Sequence, residues 1–279
     1  MKIFLNGEFY ESDEALLKVF DRGFLFGDGI FTTIKVEDSI PLFLDKHINR
    51  LKSSCHFFGI KFFDPGFSNI INQLLNKNHL INARVKIIIS RGVDFKNRII
   101  NYGGENPTIA VLISPLNFDL PQPVKLCISK EMRGNESIYQ HKTTSYLQNL
   151  YYKTIARRKN FDDVIILNCK EEILETSTAN LFLILEGKVI TPPRQLPLLN
   201  GIMRQEILAL KSIGGYPLIE KNLKKDDLKK VEAAFITSAI LEICPVSRIE
   251  NQELSLKNSE AIRKEWLQIK RSKIQQRLL

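Results

Sequence analysis

The sequence predicts a mixed α/β protein of two domains: a small α+β domain over residues 1–116, a linker at 117–122, and a larger mixed domain over 123–279. Three observations lead there. The chain has 279 residues, more than the ~100–150 typical of one domain. Short apolar runs of strand length alternate with apolar stripes at helical spacing. "PLNFDLPQP", at 115–123, places three prolines in nine residues, where the apolar periodicity stops and no strand ladder can continue.

The elements follow in order. "KIFLNGEFY" sets two apolar runs about Asn6-Gly7, a strong hairpin signal. "GIFTTIKVEDSIPLFL" reads as a second hairpin with its turn at Glu37-Asp38-Ser39. From Asp45, the residues Ile48, Leu51, Cys55 and Phe58 form a helical stripe that ends near Gly59. A second helix fills roughly 66–79, and "ARVKIIISRG" and "TIAVLISPL" read as buried strands.

Past the linker comes the strand "VKLCIS", then a helix over 144–158. Its apolar residues Tyr146, Leu147, Leu150, Tyr151 and Ile155 place Lys142 at the helix mouth. The strands "DDVIILN", "EEILETS", "NLFLILEG" and "KVITPP" turn at Asn168-Cys169-Lys170 and Glu186-Gly187. "LLNGIMRQEILALKSIGG" reads as a helix with Asn200 as N-cap and Gly214-Gly215 as its stop. "EAAFITSAILEICPVSRI" supplies further strands. Ile262, Trp266, Ile269 and Ile274 mark a terminal amphipathic helix that docks one face and turns its basic residues to water.

With 44% hydrophobic and 25% charged residues, and no apolar run near the ~20 residues of a membrane span, the composition is that of a soluble globular protein. "MKIFLNGEFYESD" turns polar too soon for a secretory signal. Cys55, Cys127, Cys169 and Cys244 lack metal-finger or CxxC spacing and lie beside apolar residues, as buried thiols do in a reducing cytoplasm. Much of the net charge of +9 sits in "AIRKEWLQIKRSKIQQRLL", with six Lys/Arg against one Glu. No nucleic-acid motif accompanies it, and attraction to a small anionic molecule accounts for it equally well.

Three features of the second half share one chemical use. Glu175 lies in "ILETSTANLF", a strand setting unusual for a carboxylate. "NGIMRQ" opens a helix at Gly201, letting the backbone N–H groups of Gly201, Ile202 and Met203 approach an anion. "ITSAI" ends a buried strand with the hydroxyls of Thr237 and Ser238. Together with the Lys142 amine, these are what pyridoxal 5'-phosphate asks of a protein: an amine to condense with its aldehyde, an acid at its ring nitrogen and a phosphate cradle.

The ordered set "DRGFLFGDGIFTT", "HINRL", "ISRG", "HKTTSYLQN", "DDVIILN", "ETSTANLF", "TPP", "LNGIMRQ" and "ITSAILEICPVSRI" resembles the class IV aminotransferase and lyase family, pyridoxal-phosphate enzymes of fold type IV, over essentially the whole chain. The resemblance implies that Lys142 is the cofactor lysine and Glu175 the partner of the pyridine nitrogen. It implies that Arg50 of "HINRL" binds the phosphate, that Tyr146 lies near the cofactor, and that the protein is a homodimer.

Within the family the resemblance is closest to aminodeoxychorismate lyase. Thr32 of "FGDGIFTT" stands where many of the family's transaminases carry an acid, and "NGIMRQ" is the lyase-like form of the phosphate helix. A dianionic substrate suits additional cations. Arg98 is the first candidate for a substrate carboxylate, with Arg91 and Arg84 behind it, and Thr32 is counted with the substrate residues. "KTTSYLQN" resembles transaminases equally well, which keeps a D-amino-acid or branched-chain aminotransferase as the alternative.

Overall fold

A computed structural model describes residues 1–96, 106–117 and 121–278, the side chains of 276–278 excepted. The chain divides into two compact units, Met1–Asp119 with His141–Tyr146, and Leu120–Gln140 with Leu147–Leu279. The second unit therefore lacks six residues inside the 123–279 range expected for it.

The first unit contains β1 (Lys2–Leu5), β2 (Glu8–Glu11), α1 (Arg22–Phe26), β3 (Gly29–Glu37), β4 (Ile40–Pro41), α2 (Leu44–Phe58), α3 (Phe67–Lys77), β5 (Ala83–Ser90) and β6 (Thr108–Pro115). Its six strands pair in the order β2-β1-β6-β5-β3-β4. Both expected hairpins form. Asp38 and Ser39 take positive φ at the second turn, and Gly59 closes α2 at φ 63°. Alternation along β3 and β5 sends Ile30, Ile34, Val85 and Ile87 into one core with Leu51 and Cys55 of α2 and Phe67, Ile71 and Leu74 of α3.

The second unit contains β7 (Val124–Arg133), α4 (Leu147–Arg158), β8 (Asp163–Asn168), β9 (Ile173–Thr176), β10 (Asn180–Leu185), β11 (Lys188–Thr191), α5 (Ile202–Leu208), β12 (Ser212–Ile213), β13 (Tyr216–Glu220), β14 (Ala233–Ser238), β15 (Glu242–Ile249), β16 (Gln252–Glu253) and α6 (Leu256–Leu278). Its strands run β12-β13-β11-β10-β14-β15-β7-β8-β9, with β16 beside β15. Strand β8 and strand β10 are buried along their whole length. Continuous apolar runs in both produce this, as in any sheet covered on two faces.

Several local expectations are corrected. Helix α4 begins at Leu147, not at 144, and Lys142 lies on extended chain. Leu147, Leu150 and Tyr151, which suggested a buried stripe, are exposed, while Tyr152 and Ala156 are buried. The N-cap of α5 is Gly201, not Asn200, whose side chain instead accepts from Arg204 Nη1 at 2.8 Å. That helix stops at Leu208, and Gly214-Gly215 turns between β12 and β13. On α6, Ile262 and Trp266 are buried as expected, but Lys270 is not turned to water. It is buried against Glu242 at 2.9 Å, and the Trp266 indole N–H donates to the same carboxylate at 2.7 Å. Cys55, Cys127 and Cys244 are buried, whereas Cys169 is exposed in its turn. No described helix is long and apolar enough to cross a membrane.

Candidate active site

The first unit gathers Lys142, Tyr146, Arg50 and Thr32. Strand β4 covers only the last residues of β3, so the start of β3 has a free edge. The segment around Lys142 fills it: Phe31 N–H donates to the Lys142 carbonyl, Thr144 N–H donates to the Gly29 carbonyl, and Ile30 bridges Thr143. Side chains fasten the same segment. Thr144 Oγ1 and Ser145 Oγ donate to the Gly27 carbonyl, at 2.8 and 3.1 Å. The His141 ring stacks on Phe57 with centroids 4.2 Å apart, and its Nδ1 lies 2.9 Å from Ser54 Oγ on α2.

Gly27 is fitted to this seam. Its φ of +65° is the left-handed region, and a Cβ there would lie 2.4 Å from Ser145 Oγ and 3.0 Å from Ser145 Cα. Only glycine meets both demands.

The Lys142 amine thus stands in a defined place. Its Nζ is 4.6 Å from the centre of the Phe31 ring and 5.1 Å from that of Tyr146, and 3.4 Å from Tyr146 Oη. The two rings meet edge to face, 5.3 Å apart. Tyr146, counted beforehand among apolar helix residues, caps this amine before α4 starts.

Arg50 lies on α2, where its Nη2 donates to Thr32 Oγ1 at 2.7 Å; the same oxygen is 2.6 Å from His47 Nδ1. His47 and Arg50 are three residues apart and share a helix face. Burial, then the charges of Arg50 and Lys142, hold the His47 imidazole well below its ordinary pKa, so the ring is neutral at pH 7. Burial brings Arg50 down to about 10, which leaves it charged. Although the side chain keeps some surface, its Nε is enclosed with no hydrogen-bond partner among the described residues. A cation held with an unsatisfied buried donor is suited to an anion.

Two residues expected at the substrate already have partners within the first unit. Thr32 is fully buried with its hydroxyl engaged by His47 and Arg50, because it faces the α2 side of β3. Arg91 is a structural tie: it donates from Nε and Nη2 to Asp28 at 2.8 and 3.2 Å and from Nη1 and Nη2 to the carbonyls of Gly59 and Phe58. Asp28 also receives Arg22 Nε at 2.8 Å. Burial pushes the Asp28 carboxyl up, but the hydrogen bonds from Arg91 and Arg22 outweigh it and leave its pKa lowered. Arg84 is exposed on β5. Arg98 lies outside the described residues.

The second unit gathers Glu175, Gly201 and Thr237. Glu175 on β9 is buried, 7% exposed, not turned to water as its apolar neighbours alone would suggest. Its Oε1 receives Arg133 Nη1 at 2.6 Å, and its Oε2 receives Asn180 Nδ2 and the Leu199 N–H, each at 3.2 Å. Arg133 was missed from the sequence. Nothing local marks it, since the pairing joins the end of β7 to β9.

Gly201 sits against Asn180, and a Cβ there would fall 2.2 Å from Asn180 Oδ1. Its own N–H is spent on the Leu199 carbonyl at 2.9 Å, so of the three expected backbone donors Gly201 is not free for an anion. Ile202 and Met203 remain as the first turn of α5, where N–H groups lack intrahelical acceptors. Thr237 faces Asn180 across the β10–β14 ladder, and its buried Oγ1 has no partner among the described residues. Ser238 Oγ accepts from the Leu241 N–H at 3.2 Å and caps the turn after β14.

The first unit carries the enclosed Arg50 Nε and the Lys142 amine, and the second carries the buried Glu175 carboxylate and Thr237 Oγ1; taken by type, unit by unit, these groups fit pyridoxal phosphate. When bound, that cofactor draws electrons from the carbon bearing a substrate's amine.

The chain belongs to the class IV aminotransferase family, whose model matches residues 29–249. Members of this family depend on pyridoxal phosphate, and the fold is their fold type IV. Over 274 residues the chain is 29% identical to a putative branched-chain-amino-acid aminotransferase of Methanocaldococcus jannaschii, covering 95% of this chain and 93% of that one. It is 27% identical over 270 residues to the aminodeoxychorismate lyase of Bacillus subtilis, covering 93% and 90%. A solved structure described as a putative 4-amino-4-deoxychorismate lyase, from Legionella pneumophila, superposes with a TM-score of 0.81 at 26% identity, over 88% of this chain and 91% of that one.

Proposed function

We propose that this chain is an aminodeoxychorismate lyase, which converts 4-amino-4-deoxychorismate to 4-aminobenzoate and pyruvate, with Lys142 as the cofactor lysine. The observation that carries the reading is the Lys142 amine, fixed by the β3 edge beside Phe31 and Tyr146 and close enough to the buried Arg50–His47 pair to depress the imidazole. In this reading Lys142 would take the proton from the carbon bearing the amine, the neighbouring C–O bond would break as a C=C bond forms to complete the aromatic ring, and the departing enolate of pyruvate would take up a proton to give pyruvate. In the first unit Arg50 would be the phosphate-binding cation; in the second unit the N–H groups of Ile202 and Met203 and the Thr237 hydroxyl are the donors suited to a phosphate. Glu175 holds the ring nitrogen, with Arg133 and Asn180 fixing its two oxygens.

The lyase form of "NGIMRQ" favours this reading, and the similarity to the Bacillus subtilis lyase over 93% of this chain is consistent with it. A branched-chain or D-amino-acid aminotransferase stays as the second reading, favoured by the Methanocaldococcus jannaschii relative. Purified protein with aminodeoxychorismate should release pyruvate and 4-aminobenzoate while the cofactor stays an aldehyde. Conversion to pyridoxamine phosphate by valine or D-alanine, with no 4-aminobenzoate formed, refutes the lyase.

The same reading has the chain act as a homodimer, for which the exposed Leu147, Leu150 and Tyr151 of α4 offer apolar area. Sedimentation at twice the chain mass is expected; a monomer at working concentration overturns this part.

A further inference from the structure

We propose that Lys86 binds a carboxylate of the substrate remote from the reacting amine and so sets a preference for a substrate with that acid group. The proposal rests on the reading of Lys142 as the cofactor lysine. Strands β3 and β5 pair with Thr33 opposite Lys86 and Phe31 opposite Ile88. Phe31, Thr33, Lys86 and Ile88 therefore share the sheet face away from the core beneath α2 and α3. On β6, Leu112 lies opposite Lys86 and completes the row.

Lys86 is half-buried in the middle of this face, with its Nζ 5.2 Å from the centre of the Phe31 ring. The Lys142 amine approaches the same ring at 4.6 Å. Among the described residues no carboxylate pairs with Lys86; nearby Lys35 has Glu37, at 3.8 Å. Partial burial removes water from Lys86, and no described residue returns a counter-charge. The ring face is only a weak compensation. A carboxylate supplies the missing charge.

The neighbours define the body that carries it. Phe31, Ile88 and Leu112, all partly exposed on this face, suit a flat apolar ring. A ring with an amine at one end and a carboxylate at the other would lie across the face with its acid on Lys86. The substrate of the proposed reaction has that layout, and 4-aminobenzoate keeps it. Lys86 touches no group assigned above to the cofactor, so its removal should leave the cofactor bound.

The test is calorimetric titration of the cofactor-loaded protein with 4-aminobenzoate and with 4-aminobenzamide, which keeps the shape without the charge. The wild type should bind the acid about tenfold more tightly, the scale of one charge-assisted hydrogen bond. Lys86→Met should erase the preference, Lys86→Arg should keep most of it, and both should retain the cofactor's visible absorbance. A preference that survives in Lys86→Met, or a wild type with no preference, overturns the proposal. A wild type that takes up no cofactor overturns this proposal together with the reading of Lys142. A preference lost in Lys86→Met, in a protein that releases no pyruvate from aminodeoxychorismate, leaves Lys86 standing and removes the lyase.

Discussion

Arg133 and Glu175 form a buried pair, with Nη1 2.6 Å from Oε1, and Arg133 also donates to the Pro197 carbonyl at 3.0 Å. Both side chains are nearly inaccessible, so the charge of each is compensated chiefly by the other. Arg133→Met is expected to cost about 3–5 kcal/mol, because it strands a buried carboxylate. The double variant Arg133→Met/Glu175→Leu should recover part of that loss. Urea unfolding measures both, and an Arg133→Met protein as stable as wild type would show that the pair is not buried as described.

The His47 imidazole is lowered by burial and by Arg50 and Lys142, and that of His141 by burial. For a group whose folded pKa is depressed, the unfolded chain binds the proton first. The neutral rings are therefore fully compatible with the fold above about pH 6.5, the ordinary histidine value, and stability is lost as pH falls from there toward the folded values. Thermal unfolding scanned from pH 7.5 to pH 5 should show a falling Tm. His47→Gln, which removes the titrating group, should flatten part of that slope; an unchanged slope would mean that His47 is not the group responsible.

Gly27 supports the segment that presents Lys142. Gly27→Ala places a Cβ in left-handed backbone and drives it against Ser145. The expected cost is about 2 kcal/mol from strain and overpacking. The distinguishing readout is the cofactor, whose absorbance maximum should shift in the variant as the Lys142 segment is displaced. A variant with wild-type stability and spectrum would contradict the tight seam.

Lys270 and Trp266 both meet the buried Glu242. Lys270→Met is expected to destabilise the protein by about 3 kcal/mol, through a buried carboxylate that loses its ammonium partner. Lys264→Met, on the exposed side of α6, should change stability by less than about 0.5 kcal/mol. Equal effects of the two in chemical denaturation would contradict the docked face of α6.

Local signals carried much of the fold. Asn6-Gly7 and Asp38-Ser39 announced their hairpins because the turn chemistry is short-range, and Gly59 announced the end of α2 for the same reason. The segment around Lys142 was misread as the start of a helix. Tyr146, Leu147 and Leu150 have helical spacing, yet residues up to Tyr146 are held by the edge of β3, more than a hundred positions earlier, which no local window detects.

The candidate site was legible unevenly for the same cause. Lys142, Glu175 and Arg50 came as candidates from ordered motifs. Arg133 did not, since its pairing with Glu175 is a product of sheet topology. His47 could have been found, since its spacing of three from Arg50 puts both on one face of α2. The partners that Thr32 and Arg91 have in the fold were hidden, because a sequence shows a charge or hydroxyl without showing what it already meets.

The most direct measurement is borohydride reduction of the cofactor-loaded protein, followed by peptide mapping. The account predicts one pyridoxyl group, carried by Lys142 in the peptide containing "HKTTSYLQN", and none in Lys142→Ala. A reduced adduct on any other lysine of the wild type, or one that persists in Lys142→Ala, would contradict it.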